Sequence, residues 1–164
     1  MARVYVSIGS NIAREHHIRA AVKSLRERFG SLTLSGVYES EPIGFEGENF
    51  YNLVAGFDTT ETPEALIEGL HTIEQQLGRK RGLSRFASRT IDLDLLLYDN
   101  LVSTNSRLRL PRAEILEYAC VLRPLAEIAP DERHPVSGIS YRELWQRFPA
   151  DSQPLTPADL PLSG

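Results

Sequence analysis

The sequence has few of the residues that mark disulfide-stabilised, membrane-spanning or strongly basic proteins. One cysteine, Cys120, stands among 164 residues, which excludes an internal disulfide. No apolar run approaches the roughly 20 residues that cross a bilayer, and the first apolar stretch is too short for a secretory signal peptide. The net charge of −4 differs from that of domains that bind nucleic acid through a basic surface. We therefore expect a cytoplasmic monomer that binds neither membranes nor nucleic acid.

Two common nucleotide-binding motifs are also missing, since the chain contains neither a P-loop pattern nor G-x-G-x-x-G. Any nucleotide site must therefore be built another way. The apolar fraction of 41% and the charged fraction of 24% are ordinary for a globular domain. The length fits one domain with its own core. We predict a single domain over residues 1–164, with a loosely ordered tail over about 149–164, where prolines recur and apolar anchors are few.

Apolar periodicity predicts an α+β protein with a ferredoxin-like βαββαβ core. Its four-stranded antiparallel sheet would carry both helices on one face, followed by C-terminal strand and helix additions. Because each βαβ half crosses over to a neighbour, we expect the first and fourth strands to be central. The predicted strands are 4–8, 32–38, 50–59 and the segment around Asp92 and Asp94, and the predicted helices are 14–29 and 62–77.

Asp92 and Asp94 interrupt the apolar fourth strand. Residues two apart in a strand share a face, so these carboxylates stand about 7 Å apart at the backbone. Like charges in apolar surroundings repel and are costly to desolvate. A divalent cation would make the pair favourable, and hard oxygen ligands suit magnesium, which completes its shell with water and phosphate oxygens. The pair therefore predicts a magnesium site.

A cluster of cationic residues precedes this strand. Guanidinium groups match phosphate oxygens in a bidentate fork, so a basic loop beside paired aspartates is typical of magnesium-nucleotide chemistry. Alone, such a loop is usually a solvated surface, and a lone D-x-D pair also occurs at turns. His71, one turn before Glu74, is interpreted as a surface histidine unless its end of the helix faces the nucleotide. The cluster consists of Arg79, Lys80, Arg81, Arg85 and Arg89.

Taken together, these motifs resemble the 6-hydroxymethyl-7,8-dihydropterin pyrophosphokinase family of folate biosynthesis. The similarity covers about residues 3–147, and its most specific element is the R-T-x-D-x-D signature that begins at Arg89. The family fold is ferredoxin-like, in agreement with the pattern of helices and strands. The matching segments are 8–11, 42–44, 50–52, 73–74, 78–81, 89–94 and 124–130.

The resemblance implies transfer of a pyrophosphoryl group from the co-substrate ATP to the pterin hydroxymethyl oxygen, with release of AMP. Two Mg²⁺ ions would bind Asp92 and Asp94, and the basic loop would close over the site. The implied catalytic residues are Arg79, Arg81, Arg85, Arg89, Asp92 and Asp94; the ATP-binding residues are Glu74, Arg79, Arg89, Ile91, Arg107 and Arg112; the pterin-binding residues are Ser40, Pro42, Ile43, Phe50, Asn52 and Cys120.

Several positions depart from the family pattern. Cys120 stands where the family has the second of two aromatic rings that enclose the pterin, and Tyr118 stands where it often has arginine. Arg112 and Ala113 replace a histidine and usually a tyrosine, and residues 86–88 replace a Trp-Gly-Pro run. These departures leave two alternatives open beside the pyrophosphokinase. One is a diverged relative that acts on another pterin-like alcohol, and the other is a non-catalytic module that binds nucleotide.

Overall fold

The computed structural model describes residues 1–78 and 90–162. Regular structure in these ranges alternates strands and helices, as the apolar periodicity predicted, and a single 3₁₀ turn lies at Ala150–Ser152. No helix in the described ranges is long and apolar enough to span a membrane. The elements are β1 Ala2–Ser10, α1 Arg14–Phe29, β2 Thr33–Leu34, β3 Val37–Ser40, β4 Phe50–Thr59, α2 Pro63–Gln76, β5 Asp92–Tyr98, β6 Ser103–Asn105, β7 Leu108–Leu110, α3 Glu114–Glu117, α4 Ala119–Ile128, α5 Tyr141–Arg147 and β8 Leu155–Ala158.

The main sheet has the order β5-β1-β4-β3-β8, with β2 also paired to β4, and its neighbouring strands are antiparallel. This arrangement confirms the ferredoxin-like α+β fold. The prediction that the fourth strand is central was wrong: β5 lies at the edge, and β1 and β4 are central. Each split βαβ unit leaves a gap between its two parallel strands, and a strand of the other unit fills it. The third strand of the motif therefore becomes central, and the fourth does not.

The second predicted strand, over 32–38, is divided into β2 and β3, which both pair with β4. Ser35 lies at the division, where its backbone N–H donates to Val54 O and its hydroxyl accepts from Val54 N. At Gly36 the backbone N–H turns away from the sheet and donates to Glu127 of α4 at 2.9 Å. The break thus fixes α4 to the sheet.

Helices cover both faces of the sheet. The apolar sides of α1 and α2 pack on one face, around Val6, Phe57 and Leu93. Thr62 caps α2 through a bond from Ala65 N, with Pro63 as the first helical residue, as the sequence predicted. The opposite face is covered by α4, whose apolar side packs with a cluster that includes Val54. Part of this second face is not covered by α4 and forms a cavity. It lies at the C-terminal end of β1 and the N-terminal end of β5.

The C-terminal residues differ from the predicted loose tail. Strand β8 pairs with β3 from Val37 to Ser40, and Leu160 is buried in the core. The reason is that β3 would otherwise present an open edge, whose unpaired N–H and C=O groups favour another strand. Prolines are tolerated in such an edge strand, so Pro157 does not prevent the pairing with Tyr38.

Candidate active site

A cavity of about 380 Å³ lies on the sheet face that α4 leaves open. Its floor follows from strand alternation and register. Ser7 pairs with Asp94, and Gly9 lies between Asp92 on one side and Asn52 on the other. Because paired residues of neighbouring strands point to the same face, these side chains meet in the cavity. A Cβ at Gly9 would lie 3.4 Å from the Asn52 Oδ1, so glycine keeps the floor open.

Residues directly after β1 hold the two segments that flank this floor. Ser10 donates its hydroxyl to Thr90 O at 2.5 Å, two residues before β5 begins at Asp92. Asn11 donates its amide to Glu48 O at 3.0 Å, in the loop between β3 and β4. Both side chains are buried. The segment 8–11, which matches the family in sequence, therefore ties the aspartate strand and the cavity wall to the same end of β1.

Asp92 and Asp94 both line the cavity, as their spacing predicted. Burial, followed by the neighbouring charge of Asp92, raises the pKa of Asp94, and the Arg112 guanidinium opposes this shift. Additional positive charge near Asp94 would favour the ionised form of this carboxyl group. In the described part of the chain, no group of three or more His, Cys, Asp or Glu side chains could enclose a metal ion. Two carboxylates at the wall of an open cavity fit Mg²⁺, which takes its remaining ligands from water and phosphate.

The strand that carries the aspartates is held from behind by Glu74. This α2 side chain is fully buried, and its Oε2 accepts a bond from Leu93 N at 2.8 Å. Leu93 lies between the two aspartates, at the edge of the sheet. Glu74, which the sequence placed with the ATP-binding residues, is not among the residues that line either cavity. Its contact with Leu93 supports the strand that carries the two aspartates.

Most of the residues predicted to bind the pterin lie together on one side of the cavity. Ser40, Ile43, Phe50, Asn52 and Cys120 line it, whereas Pro42 is not among its lining residues. Asn52 donates its amide to the Ser40 hydroxyl at 2.8 Å. Burial raises the pKa of Cys120 to about 11, so the thiol is neutral at physiological pH. The site is thus apolar at its walls and polar along Asn52.

Further aromatic residues face the same space. Phe45, from the loop after β3, lies edge-on to Phe50 with ring centroids 6.2 Å apart. Tyr118, at the start of α4, also lines the cavity beside Cys120. Sequence reasoning noted Tyr118 as a departure and missed Phe45. The signal for Phe45 was weak, because a single aromatic residue in a glycine-containing loop has no periodicity.

A second cavity of about 130 Å³ adjoins the first, and His71, Asp94 and Arg112 line both. Arg107 also lines it, as does Arg109, which sequence reasoning missed. The available signal was alternation, since Leu108 and Leu110 place the flanking arginines on one side of β7. Ile91, predicted to bind ATP, is fully buried in the core. His71 was interpreted as a surface residue, but the structure places it at the boundary of the two cavities.

Four predicted catalytic arginines lie outside the described residues: Arg79, Arg81, Arg85 and Arg89. The cationic side chains that the structure does place at the site are those around the second cavity. Arg112 is the most central, with Nη2 3.4 Å from Asp94 Oδ1 and Nε donating to Glu114 Oε2 at 2.7 Å. The described site therefore joins an apolar pocket, two carboxylates and an arginine-lined pocket.

Comparison with known proteins gives one consistent result. Residues 5–130 match the family model of 7,8-dihydro-6-hydroxymethylpterin-pyrophosphokinase (HPPK). The chain is 41% identical over 138 residues to a 2-amino-4-hydroxy-6-hydroxymethyldihydropteridine pyrophosphokinase of Pseudomonas aeruginosa, covering 81% of this chain and 84% of that protein. It is 34% identical over 158 residues to the folic acid synthesis protein fol1 of Pneumocystis carinii, covering 94% of this chain.

Some relatives are much longer than this chain, which spans 21% of the Pneumocystis protein. Among solved structures, wild-type HPPK-DHPS of Plasmodium falciparum with STZ-DHP superposes with a TM-score of 0.73 at 12% identity. That alignment covers 89% of this chain and 43% of the other. At this identity the superposition supports the fold.

Proposed function

The chain belongs to the 7,8-dihydro-6-hydroxymethylpterin-pyrophosphokinase family, and we propose that it transfers pyrophosphate from ATP to 6-hydroxymethyl-7,8-dihydropterin in folate synthesis. The products would be AMP and the pterin pyrophosphate. The observation that carries this proposal is the position of Asp94, which lines both the apolar cavity and the arginine-lined cavity. A carboxylate at this junction lies where an acceptor oxygen and a polyphosphate would meet.

In this proposal Asp92 and Asp94 hold Mg²⁺, with two ions expected. The metal would supply positive charge to the phosphate oxygens and would lower the pKa of the acceptor hydroxyl. The contribution of the protein chain itself is to hold the two aspartates in position. Glu74 fixes the strand between the aspartates, while Ser10 fixes its start through Thr90. Such positioning matters because phosphoryl transfer depends mainly on alignment and electrostatic stabilisation.

The arginine-lined cavity is the proposed nucleotide side. Arg107, Arg109 and Arg112 offer fork-shaped donors to the triphosphate or ribose. His71 adds a ring nitrogen where the two cavities join. From the sequence, Arg79 and Arg89 would add further phosphate contacts, and Arg81 and Arg85 would belong to the segment that excludes water.

For the phosphate arginines, replacing Arg89 by Lys is expected to slow transfer and weaken ATP binding more than pterin binding. An ammonium group keeps the charge but loses the bidentate fork. Single-turnover rates and ATP affinity would measure both effects. The same change at Arg19, which forms an exposed pair with Glu15 on α1, should alter neither. A full-speed Arg89→Lys enzyme would refute the bidentate role.

The apolar cavity is the proposed pterin side. Asn52 and Ser40 present amide and hydroxyl groups to the polar edge of a pterin, and Phe50 presents a ring to its face. Cys120 offers no second ring for the opposite face. Tyr118, two residues before Cys120, also lines the cavity. It is therefore the candidate for a compensating aromatic contact.

For the pterin face, Cys120→Phe is expected to tighten binding of 6-hydroxymethyl-7,8-dihydropterin about three- to tenfold. An added aromatic pair contributes about 0.5–1.5 kcal/mol beyond area effects, and 1.4 kcal/mol corresponds to a factor of ten. Calorimetric titration with an unreactive ATP analogue would measure it. Cys120→Leu, which adds bulk without a ring, is the matched control. If Tyr118 already supplies the ring, Tyr118→Ala should weaken binding and Cys120→Phe should clash. No change in either variant would mean that the pterin binds elsewhere.

The function is tested by incubating the protein with ATP, Mg²⁺ and 6-hydroxymethyl-7,8-dihydropterin and measuring nucleotide products. Equimolar AMP and pterin pyrophosphate are expected. Formation of ADP would exclude pyrophosphoryl transfer. The placement of Cys120 and Tyr118 in the acceptor cavity favours a second candidate, transfer to another pterin-like alcohol. That candidate predicts AMP with the alternative alcohol and little with the dihydropterin.

A further inference from the structure

Arg112 makes an unusual contact for a residue beside a metal site. Its guanidinium Nη2 lies 3.4 Å from Asp94 Oδ1, on one of the two proposed metal ligands. Its Nε donates to Glu114 Oε2 at 2.7 Å, so one guanidinium bridges two carboxylates. Both carboxylates are partly shielded from solvent, since the Asp94 and Glu114 side chains are 27% and 22% exposed.

The backbone holds Arg112 in this position. Its N–H donates to Leu96 O at 3.0 Å, two residues beyond Asp94 on the same strand. Glu114 lies directly downstream and begins α3. Because the backbone is attached to β5 and the side chain to Glu114, the positive charge is kept at Asp94 without any ligand.

We propose that Arg112 is a built-in counter-cation of Asp94, which the metal must displace, and that the displaced guanidinium then pairs with the nucleotide phosphates. This inference rests on the proposed function, because it takes Asp94 as a metal ligand and ATP as co-substrate. It adds a role specific to this chain: an exchange of one cation for another at a single carboxylate.

The charges require such an exchange. A dication bound to Asp94 would lie within a few ångströms of the guanidinium, where repulsion remains substantial even at a high effective dielectric constant. In the one conformation that the structure shows, Arg112 lines the arginine-bearing cavity as well as the first cavity. An incoming triphosphate brings negative charge to that side and would draw the guanidinium from Asp94.

The consequence is an order of binding. Without nucleotide, Arg112 competes with free metal, so metal alone should bind weakly. With nucleotide, the same residue favours the complex, because its charge moves to the phosphates. Removing the charge of Arg112 should therefore strengthen metal binding in the absence of nucleotide and weaken binding of the metal–nucleotide complex. A merely structural role of Arg112 would not change these two affinities in opposite directions.

The test uses Mn²⁺ as the probe, with free Mn²⁺ followed by electron paramagnetic resonance, and a non-hydrolysable ATP analogue with Mg²⁺. Arg112→Gln is expected to bind Mn²⁺ about tenfold tighter than the parent without nucleotide and the analogue about tenfold weaker. Arg112→Lys keeps the charge and should retain parent-like Mn²⁺ affinity. This variant also provides a test if the glutamine variant does not fold. The control is Arg142→Gln. Arg142 lies on α5 and forms an exposed ion pair with Asp131, so this variant removes the same charge away from the site.

If the parent binds Mn²⁺ and folded Arg112→Gln binds it equally or more weakly, the counter-cation role of Arg112 is refuted. The metal site of the proposed function would still stand. Tighter Mn²⁺ binding in both Arg112→Lys and Arg112→Gln would also overturn it, because charge would not be the cause. Absence of Mn²⁺ binding in every variant, even with the analogue present, would refute both the metal site of the proposed function and this inference.

Discussion

Asp94→Asn is expected to lower pyrophosphoryl transfer about a hundred- to a thousandfold while the fold is kept. If Asp94 holds the metal as proposed, the substitution would remove positive charge from the phosphate oxygens on which negative charge develops. Single electrostatic contacts of this kind contribute about 10²–10³ in rate. The same reasoning applies to Asp92→Asn, since both carboxylates line the cavity. Initial rates of AMP formation at saturating ATP and pterin would measure the loss.

The stability of the Asp94 variant should move in the opposite direction. Burial and Asp92 raise the pKa of Asp94, so the metal-free folded protein binds more protons than the unfolded chain above the ordinary carboxyl pKa. Its free energy of unfolding therefore falls as pH rises toward the folded pKa. Asparagine removes this dependence, and metal-free Asp94→Asn should be as stable as the parent or more stable near neutral pH.

Thermal melts of metal-free protein at several pH values would test the stability prediction. Asp58→Asn is the matched control, because Asp58 lies on the same sheet and makes an exposed contact of 3.7 Å with Arg3. It should leave both rate and pH dependence unchanged. A large fall in the melting temperature of Asp94→Asn would show that the aspartate pair stabilises the fold, and near-parent activity would remove the metal role.

What the sequence predicted correctly was local. The spacing of Asp92 and Asp94 places both on one face of a strand without any knowledge of the neighbours, because alternation is a property of the backbone. The helix α2 was likewise predictable, since Thr62, Pro63 and the apolar repeat act within a few residues. These features depend on contacts close along the chain.

What the sequence did not predict depends on partners far along the chain. The edge position of β5 follows from which strand fills the gap of each βαβ unit, and hydrophobic pattern alone did not distinguish the strands. The contact of Arg112 with Asp94 joins residues on separate elements. Residues 155–158 form a strand because they pair with the open edge of β3, and the sequence did not show that this edge was open. Each case is a tertiary pairing that local propensity does not encode.

Glu74→Ala is expected to have the second-largest effect, on stability and activity together. The change leaves the Leu93 N–H at the sheet edge without its carboxylate acceptor and creates a cavity at a fully buried position. An unsatisfied buried donor with a large-to-small change should lower the free energy of unfolding by about 2–5 kcal/mol. Chemical denaturation of metal-free protein would measure this loss.

The catalytic part of the prediction follows from where Leu93 lies. It separates Asp92 from Asp94, so a shift of its backbone moves both carboxylates, and a displacement of about 1 Å costs about a hundredfold in rate. Glu74→Gln keeps an oxygen acceptor for Leu93 N and should recover most of both losses. Glu68→Ala, an exposed change on the same helix, is the control. If Glu74→Gln were as slow as Glu74→Ala while its stability recovered, the charge of Glu74 would act on the reaction directly, and its role would be more than support of the strand.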